Sequence, residues 1–130
     1  MREISFRGKR EDNGEWVEGN LFIPDLPNKP TQICMGTNVV RITFDIDPET
    51  VGQFTGLTDR NGKKIFEGDV VDILTENEEI GVVAYDDGGF LVNADGFCVD
   101  FHSNINGTDL EVIGNIHDNP ELLCRKEGDI

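Results

Sequence analysis

Between Asp69 and Ile116 short β-branched or aromatic runs alternate with tight-turn residues: DVVDIL, IGVVAYD, FLVN, FCVDF and LEVIGNI. The punctuation is Asp86-Asp87-Gly88-Gly89 and Ala94-Asp95-Gly96, types that tolerate the left-handed backbone a hairpin turn needs. Runs this short, with no sustained helical apolar period, read as strands. Five such strands within roughly 55 residues have the size and rhythm of a small SH3-like or related barrel.

The first half is also extended but less regular. EISFRG and WVEGNLFI flank the Asn13-Gly14 turn signal and suggest an N-terminal hairpin. PDLPNKP holds three prolines in seven residues and reads as an exposed loop. In VVRITFDI the apolar residues Val40, Ile42, Phe44 and Ile46 share one face at period two, and Asp47-Pro48 ends the run. Asn119-Pro120 fits the start of a single helical turn, with Asn119 as N-cap. The expected fold is therefore mainly β with little helix: an N-terminal β region over residues 1–54, then a small SH3-like barrel over 55–130, as two regions or one compact unit. Trp16, Phe44, Phe54, Phe66, Phe90 and Phe97 are the aromatic candidates for the core.

Charge divides the chain more sharply than pattern does. Residues 1–64 carry nine Lys/Arg against ten Asp/Glu, so they are almost neutral. From Ile65 to Cys124 there are fourteen acids and no Lys or Arg. That stretch supplies nearly all of the net charge of -15. Its field repels phosphates, which excludes direct nucleic-acid binding through it. It suits a solvated surface, a basic protein partner, a cation site or mimicry of nucleic acid. Glu76, Glu78, Glu79, Asp86 and Asp87 are its densest acids. A homo-oligomer would use residues 1–64 rather than the self-repelling half. No apolar run approaches the length of a membrane helix, and the N-terminus has no signal-peptide core, so a cytoplasmic, membrane-free protein is expected. Cys34, Cys98 and Cys124 are odd in number and far apart, which favours reduced, mostly buried thiols over a disulfide framework.

The segment TGLTDRNGKKIFEGDVV, Thr55 to Val71, looks at first like a ligand loop. A calcium loop with Gly62 at its sixth position puts Asp59 and Asn61 at the third and fifth. It then leaves Leu57 and Gly68 where essential oxygen ligands belong. A phosphate loop lacks its hydroxyl residue, its second glycine and its helix. Turns fit every residue. Asn61-Gly62 takes a tight turn, Asp59 accepts from its amides, and Gly68 makes a turn or bulge before the next strand. Asp69 is open between bonding turn amides and standing as a rim carboxylate. A zinc set of Cys98, His102, His117 and Cys124 lacks the usual short Cys-Cys arm. No carboxylate pair stands out as a catalytic dyad, and no nucleophile sits beside a base, so no catalytic residue, metal or cofactor is assigned.

TVGQFTGLTDRNGKKIFEGDVV resembles the signature of the YopX family of phage and prophage proteins. MREISFRG, WVEGNLF and EVIGNIHDNPELL follow in that family's order, so the likeness covers nearly the whole chain. The family often begins FRAW, where this chain has FRGKRED. The resemblance implies a mostly β fold with an SH3-like C-terminal part, a bacterial host cell and no assigned activity. It carries over Gly56, Asp59, Gly62, Gly68, Asp69, Gly114, Asn115 and Asn119 as structural turn positions. The function expected is a non-enzymatic accessory protein that binds a host or phage protein of basic surface. The alternatives are a nucleic-acid mimic directed at a DNA-binding protein, and a divalent-cation binder or enzyme with a carboxylate site.

Overall fold

The computed structural model describes residues 4–36, 39–74, 79–86, 89–94, 97–101 and 106–123. The chain divides into two compact units, Met1–Phe54 and Thr55–Ile130. Its strands form two antiparallel sheets.

The first unit contains β1 (Phe6–Lys9), β2 (Trp16–Phe22), β3 (Gln32–Gly36), β4 (Arg41–Asp45) and the start of β5 (Gly52–Thr58), in the order β4-β3-β2-β1-β5. It is a wider sheet than a hairpin. β3 is the strand the sequence reading lacks, because ICMG between Pro30 and Gly36 is too short to show an alternation. A bridge from Arg10 to Ile46 draws the end of β1 toward the end of β4. Ile33 and Ile46 are both fully buried. Gly8 lies against them: a Cβ there would come within 2.4 Å of Ile46 Cγ2 and 3.3 Å of Ile33 Cδ1. Asp47 caps the short 3-10 turn Pro48–Thr50, and Thr50 Oγ1 accepts the Lys9 amide at 2.8 Å.

The second unit continues β5 into β6 (Lys64–Phe66). Then come β7 (Asp69–Ile73), β8 (Glu79–Asp86), β9 (Gly89–Ala94), β10 (Phe97–Asp100) and β11 (Leu110–Asn115). The last five form a sheet in the order β10-β9-β8-β7-β11. These are the five strands read from the sequence. Among the described residues they do not close into a barrel, since β10 and β11 remain the two ends of the sheet. Ile65, Val71, Ile73, Val83, Val92, Ala94 and Leu110 make the core, with Leu57, Phe101 and Val112 packed against it. Each fully buried Val, Ile or Leu contributes about 1.5–3 kcal/mol of burial. No helix among the described residues is long and apolar enough to cross a membrane.

Three side-chain expectations change. Phe54, Phe66 and Phe90 are buried, but Phe44 is only half-buried. Trp16 is also half-buried, with the Arg7 guanidinium 4.7 Å and the Lys9 ammonium 5.6 Å from its ring centre, so it serves as a cation platform. Of the thiols, Cys34 is half-buried and Cys98 is exposed, both free, and Cys124 lies outside the described residues.

Candidate functional site

The turn at Asp59 shows what the long central motif does. The chain must reverse between β5 and β6, and Gly62 does so at φ +82° with nothing within 4 Å of its missing Cβ. Asp59 is buried at 3% exposure beneath that turn. Its Oδ1 accepts the Asn61 and Lys63 amides, both at 2.9 Å. Its Oδ2 accepts the Val112 amide at 2.9 Å, fifty-three residues along the chain. Arg60 then donates its amide to the Leu110 carbonyl at 3.0 Å. β11 is an end strand, and the turn occupies backbone groups on its open edge that would otherwise invite another chain. Burial pushes the Asp59 carboxyl up. The Val112, Lys63 and Asn61 amides and the Lys63 charge outweigh it and hold the group below the ordinary carboxylate range.

Asp69 is the second anchor. It is 1% exposed, and its Oδ2 accepts the Phe66 amide at 2.8 Å across the turn made by Gly68 at φ +93°. Gly68 donates to Val83 at 2.8 Å and accepts from Ile116 at 2.9 Å, tying β8 and the end of β11 to the same turn. Of the two readings open for Asp69, the structure selects the carboxylate that bonds a turn amide. Gly56 lies in β5 at φ +91°.

The C-terminal motif closes the arrangement from the other side. Asn115 Oδ1 accepts the His117 and Asp118 amides at 3.0 and 2.9 Å, an Asx turn. Asn119 Oδ1 reaches back to the Asn115 amide at 3.3 Å. Asn119 thus braces the strand end, while the helical turn that follows is held by backbone bonds from Leu122 and Leu123 to Asn119 and Pro120. Gly114 lets that loop approach: a Cβ there would stand 2.6 Å from Asn119 Oδ1. The β11 register shifts between Val112 and Gly114, a bulge beside the Asp59 bond. Seven of the eight motif positions thus lie at turns or strand ends of the second unit, while Gly56, expected at a turn, lies within β5 with a positive φ. No signal in the sequence tells that Asp59 answers to Val112, since the bond is made only by the tertiary fold.

The acids of the base-free stretch are placed differently. Asp86 ends β8 and is exposed; Glu79 begins β8, half-buried opposite Ile73. Asp118 and Glu121 are exposed. Asp72 and Glu111 face each other directly across β7 and β11. Glu76, Glu78 and Asp87 lie outside the described residues, as does His102 of the zinc set. Among the described residues no three His, Cys, Asp or Glu side chains converge as a metal ion would require.

Open concavities lie along the first unit. One of about 500 Å³ is lined by Phe22, Pro24, Leu26, Lys29, Pro30 and Gln32, among others. The proline loop is thus one wall of a largely apolar groove, a role its composition did not announce. Apolar residues interleaved with its prolines were the available signal.

A family model described as YopX protein matches residues 5–124. Among solved structures, the chain is similar to the crystal structure of protein EF1440 from Enterococcus faecalis. The two are 26% identical with a TM-score of 0.57, over 95% of this chain and 99% of that one. No curated protein matches.

Proposed function

The chain belongs to the YopX family, and from that premise we propose a phage-type accessory protein that binds another protein and does no chemistry of its own. It acts in the cytoplasm of the bacterial host. The observation that carries the reading is the run from Ile65 to Cys124 with fourteen acids and no Lys or Arg. Such a surface attracts a basic partner, raises the encounter rate and is sensitive to salt. The signature carboxylates Asp59 and Asp69 are committed to backbone amides, which leaves binding to the exposed acids such as Asp86 and Glu121.

The test is capture from host lysate by the wild type and by a variant carrying Asp86→Lys and Glu121→Lys. A partner held at low salt, released at high salt and weakened by the reversals supports the reading. Capture that ignores both salt and the reversals overturns it. A second reading, mimicry of nucleic acid, draws on the facing acids Asp72 and Glu111, which place one pair of carboxyl-bearing residues across two strands. It requires that the protein displace DNA from a basic host enzyme, and failure to do so removes it.

A further inference from the structure

β2, β3 and β4 carry a face that the core does not use. Their register sets Asn20, Cys34 and Thr43 abreast, then Phe22, Gln32 and Asp45, with Arg41 opposite Gly36 at the far end. Side chains alternate along a strand, so these residues share one face, and Leu21, Ile33 and Phe44 share the other. Ile33 is fully buried, which makes its face the inner one. Water-facing positions of an antiparallel sheet are ordinarily polar, yet Phe22 stands on the outer face at 56% exposure. Phe22 lines two hollows. One, of about 490 Å³, is bounded by Asn20, Cys34, Met35 and Arg41. The other is the groove walled by the proline loop, which Gln32 and Asp45 also line. The two therefore follow one another along β3. The loop wall is pre-set: the Lys29 amide donates to the Leu26 carbonyl at 3.2 Å, closing a turn with Pro27 at its second position. Proline fixes φ, so this wall loses little freedom when a ligand arrives. Leu26 stands on it at 61% exposure.

The two hollows end in opposite charges. Arg41 and Asp45 are four residues apart on β4, about 13 Å along an extended strand. Both are exposed, and no carboxylate among the described residues pairs with Arg41. Asp45 Oδ1 accepts from Gln32 Nε2 at 2.9 Å, which holds the carboxylate in place through one of its two oxygens. Asp25 and Lys29 on the loop offset each other. The backbone edge beside Asp45 is already filled by the chain itself. There the Glu11 amide donates to the Asp45 carbonyl at 3.0 Å, and the Asp47 amide to the Lys9 carbonyl at 2.9 Å. A ligand comes over the face of the sheet and not onto its edge.

We propose that this face docks an extended segment of another protein, with an acid and a base four residues apart and apolar side chains between them. The acid meets Arg41, the base meets Asp45, and the apolar side chains fill the hollows beside Phe22 and Leu26. The proposal stands on the first unit alone and does not rest on the acidic run of the second.

Selection from a displayed library of random short peptides, on the immobilised full chain, tests it. Enriched peptides should carry an acid and a base four residues apart with aliphatic or aromatic residues between. Selection on Arg41→Asp should exchange that acid for a base. For an enriched peptide, Phe22→Ser and Leu26→Asp should each raise the dissociation constant at least about tenfold. Both side chains are exposed, so the variants should keep the wild-type melting curve. The bound peptide should slow alkylation of Cys34, which lines the first hollow, and leave the exposed Cys98 unchanged. No enrichment overturns the proposal. So do enriched peptides without the charge pattern, or an affinity that ignores both substitutions. Basic peptides that are lost with Asp86→Lys and Glu121→Lys but ignore Leu26→Asp also overturn it, while supporting the reading of the acidic run, so the two outcomes are told apart.

Discussion

Replacing Asp59 by Ala should cost the fold about 3 kcal/mol, and the structure says where that energy comes from. The Asn61 and Lys63 amides sit in an exposed turn, and water takes over when the carboxylate goes. Those two losses are the ordinary net value of a hydrogen bond, about 0.5–1.5 kcal/mol each. The Val112 amide is part-buried at the edge of β11, so it loses a charged acceptor with less access to solvent, at about 1–3 kcal/mol. Asp59→Asn is the sharper test. Its one carbonyl can serve the two turn amides or Val112, and its NH2 group then points at the remaining donor. The expected loss is about 2 kcal/mol, below that of Ala but well above a surface change. Urea unfolding with shared slopes measures both, and the Ala variant should melt about 10 °C lower. An Ala variant within about 0.5 kcal/mol of wild type would refute the clasp. An Asn variant equal to wild type would refute the Val112 bond in particular.

Other outcomes follow from the same geometry. Gly62→Ala should cost about 1 kcal/mol, since its φ of +82° is strained for Ala but the space is open. Gly107→Ala should cost about twice as much or more in the same unfolding assay, because its Cβ would stand 2.0 Å from the Thr58 carbonyl oxygen, which belongs to the backbone of β5. Leu110→Ala removes a fully buried side chain from the second unit's core and should lose about 2–5 kcal/mol by denaturant midpoint. The Asp59 contribution is set by a lowered folded-state pKa, so it is complete above the ordinary value of 3.8 and lost as pH falls through the lower folded value. The stability gap between wild type and Asp59→Asn should therefore hold from neutral pH down to about 3.8 and narrow as pH falls from there to the lower folded value; a gap that widens on acidification contradicts the assignment.

The sequence carried the second unit's strands well because β-branched runs and Gly/Asp turns act locally. It also carried the turn at Asn61-Gly62, the role of Asp59 toward that turn and the positive φ of Gly68 as a turn position. It did not carry β3, whose five residues include one fully buried side chain, Ile33, and two exposed residues, Met35 and Gly36. Nor did it carry the second duty of Asp59, because Val112 offers only a backbone amide and its side chain says nothing of it. The period-two face from Val40 to Ile46 was legible as a pattern. Which half of it the fold covers was not, because that depends on where β1 curls toward Ile46. The thiols were misjudged for a similar reason: Cys98 sits on a sheet-end strand, where a small apolar side chain finds no cover.

The central claim is that the motifs around Asp59 and Val112 form one clasp on the edge of β11. Amide hydrogen exchange at Val112 tests it most directly. In the wild type this amide should exchange as slowly as the β7–β8 ladder, and Asp59→Ala should speed it selectively while that ladder stays protected. A Val112 amide that exchanges like an open edge in the wild type, or that ignores the loss of Asp59, would contradict the account.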